Sequence, residues 1–380
     1  MRPDDEHDPR VSFSERGCVG DNTQRWTSLD RGLPPPEMSH LRPRAYPVGA
    51  LAALLAALAL AVSGCGSDQS TLDPHSPPAR EIADLWWWML AAAVLVLLGA
   101  LTLLLVSWLR RHKPGLPIVG GLSERGYDGV VVTFGMFLPL VVLVAVFVVA
   151  NFSIASDTDA PDAGSTAMML VVTGNQWFWD LRYPGTSGAV TANEIHIPAR
   201  TRVNTILRTD DVIHSFWVPQ LNRKADMIPG HPNRILLYAD HPGVYRGQCA
   251  EFCGLQHANM AMTVVAEPPA RFRAWLTNMA RPRQAPATTE QRRGEQIFLS
   301  ERCSSCHTIR GTPADGTIGP DLTHLATRST LAAQTIPNTA RWLARWISDP
   351  QQIKPGTKMP ALGLSAADIQ SLVAYLRGLR

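Results

Sequence analysis

Six cysteines in 380 residues are too few to staple a chain of this size, so a disulfide scaffold is excluded. Charge of one sign is equally scarce. Thirty-five Lys and Arg face 32 Asp and Glu, and the resulting +3 argues against nucleic acid as the leading partner. No nucleotide-cradling glycine loop and no hydrolase triad is present. Beyond residue 152 there is no long apolar run, although 46% of the chain is hydrophobic. The chain has two or three domains' length; its apolar residues are concentrated in three blocks before that point, and the remainder reads as a water-soluble body of turns, alternating strands and later helices. The pattern is that of a membrane-attached protein with a soluble portion.

Residues 1–37 are polar and show no apolar period, as in a disordered tail or a start assigned too early. From Met38, a basic stretch (Arg42, Arg44), an apolar stretch (Val48 to Val62) and the small residues Ser63 and Gly64 before Cys65 resemble a bacterial lipoprotein signal over 38–64. Cys65 would then carry the lipid. A short buried helix is the alternative. Trp86 to Leu109 is 24 uncharged residues and Gly129 to Ala150 is 22, each long enough at 1.5 Å per residue to cross about 30 Å of hydrocarbon. These predict two transmembrane helices (about 86–109 and 129–151) within 65–152. Arg110, Arg111, Lys113 and Arg125 lie between them and only Arg80 near the outer ends, so the connecting loop is cytoplasmic and the chain after 152 lies outside.

Met168 to Thr173, Glu194 to Ile197, Arg202 to Arg208, Arg234 to Tyr238 and Ala261 to Val265 read as short strands of a β-sandwich or small barrel over about 165–268. Within it, Cys249, Cys253, His257 and Met260 fall inside twelve residues, and His214 can approach from a loop 35 residues upstream. A disulfide leaves two histidines and a methionine without a role, and tetrahedral zinc leaves Met260 unused. Thiolate, thioether and imidazole together are soft ligands that suit copper on a sandwich. Two thiolates allow two coppers to share both sulfurs, each with a terminal His. Simple burial of the cysteines is the remaining alternative.

Prolines at 268, 269, 282 and 286 predict a linker over 269–287. The last segment, 288–380, contains Cys303-Ser304-Ser305-Cys306-His307, which in an exported compartment points to covalent haem c: two thioethers from Cys303 and Cys306, with His307 under the iron. A zinc site would need a second ligand pair that the segment lacks. Met359 and His324 are the candidates for the sixth ligand. Met359, in a Pro/Gly loop able to fold over a haem face, is preferred. Glu290 to Ser300, Thr339 to Ser348 and Ser365 to Leu379 show helical spacing.

The His214 motif, the run Gly247-Gln248-Cys249-Ala250-Glu251-Phe252-Cys253-Gly254 with His257 and Met260, and two preceding helices resemble subunit II of cytochrome c oxidase over roughly 80–268. Residues 288–380 resemble a class I cytochrome c. The resemblance implies a multidomain membrane protein: a two-helix hairpin, an all-β cupredoxin-like Greek-key sandwich and an all-α cytochrome domain. It implies a binuclear CuA centre with Cys249 and Cys253 bridging, His214 and His257 terminal, Met260 on one copper and the Glu251 carbonyl on the other. The Glu251 carboxylate would help hold magnesium at the boundary with subunit I. Trp177, in Gly174-Asn175-Gln176-Trp177-Phe178-Trp179, would match the tryptophan through which electrons arrive, although sandwich packing alone explains such a residue equally well.

The partners implied are subunit I, with haem a, haem a3 and CuB, subunit III, membrane lipids, and an electron donor such as a soluble cytochrome c or a cytochrome bc complex, at a bacterial inner membrane. The function implied is passage of electrons from haem c through CuA to haem a, where oxygen becomes water and protons are pumped. One departure stands out: aligning on Pro139 puts Val132 where members often carry a carboxylate near a proton path, with Asp128 the nearest acid. Quinol oxidase subunits lack the copper ligands, and nitrous oxide reductase would need a further large domain. A membrane-tethered copper carrier, which would need no haem, is the alternative of another class.

Overall fold

The computed structural model describes residues 69–112, 124–154, 166–186 and 188–380. The signal-like segment and Cys65 lie outside the described residues. Helix α1 (Pro77–His112) is followed by α2 (Glu124–Val132), which runs through a π-helical turn (Thr133–Phe137) into α3 (Leu138–Val149) and a second π turn, Ala150–Ile154. The first π turn ends two residues before Pro139, which has no N–H to give and whose ring crowds the preceding turn; the wider turn absorbs both defects. Leu95, Leu104, Phe134 and Leu143 are each more than 60% exposed, as suits side chains that meet lipid.

The start of α1 is fixed to the soluble body. Ser76 Oγ donates to the Leu221 carbonyl (2.5 Å), Arg80 pairs with Asp240 (2.5 Å), and Ala79 and Ala83 are buried. The basic end, Arg110 to His112, is at the opposite end of the helix.

Ten strands follow: β1 (Met168–Asn175), β2 (Phe178–Tyr183), β3 (Ala189–Ala192), β4 (Glu194–Pro198), β5 (Val203–Thr209), β6 (His214–Trp217), β7 (Ala225–Met227), β8 (Asn233–Leu237), β9 (Gly243–Cys249) and β10 (Ala261–Glu267). They form two five-stranded sheets, ordered β3-β2-β1-β5-β8 and β4-β10-β9-β6-β7. The pairs β1–β5 and β4–β10 are parallel and the rest antiparallel. Alternate residues face inward, so Leu170, Val172, Leu181, Ile195, Ile197, Val203, Leu207 and Val264 are fully buried between the sheets. Each such side chain contributes about 1.5–3 kcal/mol relative to exposure. The fold is the two-helix, cupredoxin-like sandwich and helical C-terminal arrangement that the sequence implies.

The proline-rich stretch expected as a linker begins with helix α4 (Pro269–Met279). Pro269 is at the first turn, where a missing N–H costs nothing, and Phe272 and Met279 pack into the sandwich core. Beyond it lie α5 (Thr289–Ser300), α6 (Cys303–Cys306), a short hairpin of β11 (Thr330–Leu331) and β12 (Ile336–Pro337), α7 (Ala340–Ser348), α8 (Pro350–Ile353) and α9 (Ala366–Leu376). Thr288, Thr339, Asp349 and Ser365 each accept a hydrogen bond from the first turn of the helix they precede. Thr288 and Gln291 complete a reciprocal capping box. Helices α5 and α9 cross where Gly294 meets Ser371 and Tyr375, and Phe298, Leu343, Leu372 and Leu376 form a second core.

Candidate metal and haem centres

Two neighbouring strands and one loop build the soft-ligand cluster. His214 begins β6 and Cys249 ends β9, and the two strands pair in register at Phe216 and Cys249. The loop from Ala250 to Met260 closes on itself because the Cys249 N–H donates to the Met260 carbonyl (2.9 Å). It turns at Gly254, whose φ of +111° is open to glycine.

The sulfurs of Cys249 and Cys253 are 3.8 Å apart, far beyond the 2.05 Å of a disulfide. That spacing is less than twice a metal–sulfur bond of about 2.3 Å, so one ion can touch both sulfurs. Around Cys249 stand His214 Nδ1 (3.8 Å) and the Glu251 carbonyl (3.3 Å). Around Cys253 stand His257 Nδ1 (3.7 Å) and Met260 Sδ (3.8 Å). The six sequence-predicted groups are therefore together, and their arrangement is two-sided. His214, Cys249, Cys253 and Met260 are buried. The donor set fits copper by softness and leaves no member idle.

Asp211 is a site residue to which the sequence reading gave no role. Its Oδ1 accepts from His214 Nε2 (2.9 Å), which turns His214 Nδ1 toward the sulfurs, the usual way a metal-binding imidazole is oriented. Burial opposes ionisation of this carboxyl, but His214 and the N–H groups of Gln176 and Val212 outweigh it and hold its pKa well below the carboxylate range. The signal was available three residues before His214. In the thiol pair, the contact between the two sulfurs lowers the pKa of Cys249 and raises that of Cys253.

Cys303, Cys306, His307 and Met359 line one cavity of about 640 Å³. His307 Nδ1 is 2.8 Å from the Pro320 carbonyl, to which it can donate, leaving Nε2 for a metal. A Cβ on Gly319 would come within 2.4 Å of the His307 ring, so glycine there makes room for the imidazole. His324 is buried elsewhere, with Nε2 3.0 Å from the Arg281 carbonyl, and does not line this cavity. An apolar cavity with two thiols, an imidazole and a thioether on its walls fits a haem.

Trp177 joins the two centres. It forms part of the cavity wall, and its Nε1 donates to the Cys253 carbonyl (3.1 Å), which also accepts from Gln176 Nε2 (2.8 Å). The fully buried tryptophan of the sandwich is its neighbour Trp179, 6.1 Å from the His214 ring. The Glu251 side chain is half-buried beside the cluster. Asp128 lies one helical turn before Val132 on α2.

Fold and sites define a membrane-anchored redox protein in which a cupredoxin-like sandwich adjoins a cytochrome c domain. The sequence matches the family "Cytochrome C oxidase subunit II, periplasmic domain" over residues 186–267 and "Cytochrome c" over 291–380. Cytochrome c oxidase subunit 2 of Alkalihalophilus pseudofirmus is 33% identical over 333 residues, 86% of this chain and 96% of that protein. The Bacillus subtilis protein of the same name is 28% identical over 348 residues, again 86% of this chain and 96% of its own. The chain belongs to the cytochrome c oxidase subunit 2 family and carries a cytochrome c domain.

A solved structure, the periplasmic domain of subunit II of the Bradyrhizobium japonicum oxidase, is 27% identical with a TM-score of 0.30, covering 30% of this chain and 94% of that one. Family membership makes this chain part of an oxidase with further subunits, implies copper and haem, and puts the soluble domains on the outer side of the membrane to which two apolar helices attach them.

Proposed function

We propose that this chain receives electrons on its own covalent haem c and delivers them through a binuclear CuA centre to haem a of subunit I, for reduction of oxygen to water coupled to proton pumping at the bacterial inner membrane. When bound, the haem iron and the copper pair supply two one-electron couples. The residues do the rest. Cys303 and Cys306 would hold the haem covalently through thioethers, and His307 and Met359 would supply its iron ligands, the Met359 thioether favouring a high potential. Cys249, Cys253, His214, His257, Met260 and the Glu251 carbonyl would hold the coppers, while Asp211 orients His214. The Glu251 carboxylate contributes to a magnesium site shared with subunit I. Subunit III and a cytochrome c or cytochrome bc donor complete the assembly, and Cys65 is the lipid anchor.

The observation that carries this reading is Trp177, which borders the haem cavity and hydrogen-bonds the loop of the copper ligands. The test is the metal content and electron paramagnetic resonance of the full chain in detergent. Two coppers per haem with one unpaired electron spread over both, lost in Cys249→Ser, is the expected outcome. One labile copper, zinc, or a Cys249–Cys253 disulfide overturns the CuA assignment in favour of a tethered cytochrome or copper carrier.

A further inference from the structure

Between the two centres lies a lysine that neither uses as a ligand. Lys354 follows α8, five residues before Met359, and its side chain is only 2% exposed. Its Nζ donates to three main-chain carbonyls: Trp177 (2.9 Å), Asn259 (2.7 Å) and Ala332 (2.9 Å). The first belongs to the tryptophan on the cavity wall, the second to the residue before Met260, and the third to the cytochrome segment itself. A buried ammonium needs its donors satisfied, and these three acceptors suffice in number because it has three N–H bonds. The site therefore exists only while the sandwich and the cytochrome segment are in contact.

The surrounding contacts follow the same seam. Gln256 Nε2 donates to the Pro355 carbonyl (2.8 Å). At Gly356 (φ +83°), a Cβ would sit 3.0 Å from Leu255 and 3.5 Å from the Trp177 ring, so the loop bearing Met359 packs directly on the tryptophan and the copper loop. Farther along, Glu194 of β4 accepts from Ser329 N (2.6 Å) and Ser329 Oγ (2.5 Å).

We infer that Lys354 is a positioning residue for electron transfer within the chain: its ammonium pins the Met359 loop to Trp177 and to the copper loop, so that the haem domain works docked in one geometry and does not swing between partners. The inference rests on the haem-to-copper reading above. The step it governs moves one electron from ferrous haem to the oxidised copper pair, with no proton transferred and no bond made or broken. A docked arrangement makes its rate independent of solvent viscosity. A released domain has to find its site again by diffusion on a slower timescale.

The test is flash reduction of the haem by a photoexcited ruthenium dye in the full chain, loaded with haem and copper in detergent. Haem reoxidation is followed with and without glycerol, and rates are compared at equal driving force from potentials measured on the same samples. Lys354→Met, which keeps much of the bulk and loses the donors, is expected to slow transfer at least ten-fold and make it viscosity-dependent with both spectra intact. Lys354→Gln, which retains two N–H donors, is expected to recover part of the loss; it also decides the matter if Lys354→Met fails to retain a centre. Unchanged, viscosity-independent transfer in these variants overturns the role of Lys354 while leaving the haem-to-copper reading in place. Absence of transfer in the unsubstituted chain overturns that reading and this inference with it.

Discussion

At the residue scale, the two sites differ in what fixes their ligands. The candidate copper ligands are held by strand pairing and one self-closed loop, so each side chain has little freedom and Asp211 removes the remaining choice, which nitrogen of His214 faces the sulfurs. In the proposed haem site, the two attachment thiols and one iron ligand would come from one short segment, and the second iron ligand from Met359, more than fifty residues later. The choice of Met359 over His324 follows from the cavity wall, which includes the first and not the second. Met359→Ala is expected to lower the haem midpoint potential and open the sixth position to added imidazole, whereas His324→Ala leaves the potential and absorption spectrum near those of the parent. Redox titration and imidazole binding on the two variants check this, and the opposite pattern would exchange the assignments.

At the scale of elements, the cytochrome segment depends on the crossing of α5 and α9. A Cβ at Gly294 would fall 2.0 Å from the Ser371 carbonyl and 2.7 Å from Tyr375 Cβ, both on the facing helix, and a backbone carbonyl cannot step aside as a flexible side chain can. Gly294→Ala is therefore expected to destabilise by about 1–3 kcal/mol despite the better helix propensity of alanine. Denaturant unfolding followed at the haem absorption reads this, and an unchanged midpoint would show that the two helices separate without cost.

The same scale explains where the sequence reading needed adjustment. The long strands with β-branched residues were legible, but β2, β3, β6, β7 and β9 are short or rich in Gly, Arg, Trp and His, and become strands because neighbours pair with them. Helix α4 was hidden by prolines that sit harmlessly at its start.

For the whole molecule, the seam between sandwich and cytochrome segment gives a pH signature. Burial lowers the Lys354 pKa to about 7, against about 10.4 in an unfolded chain. Between those values the unfolded state binds the extra proton, so folding stability rises with pH from about 7 to about 10.4, and the cost of burying the charge is fully felt below that window. Stability measured against denaturant for the full chain, less that of Lys354→Met at each pH, should increase across this window. A flat difference would place the folded-state pKa near the unfolded one.

Much of the protein was determined by the sequence alone. Apolar run length decides what can span a membrane, a Cys-x-x-Cys-His run carries two candidate haem-attachment thiols and one candidate iron ligand at fixed local spacing, and twelve residues hold most of the candidate copper set. These are short-range properties, set by chain geometry and side-chain chemistry within one turn or loop. Only the tertiary structure decided the rest: that His214 meets Cys249 across two strands, that Trp177 touches both candidate centres and that Lys354 joins them. Each of these depends on carbonyls or side chains brought together from segments up to 177 positions apart, by burial of two apolar cores whose pattern specifies inside and outside without naming neighbours.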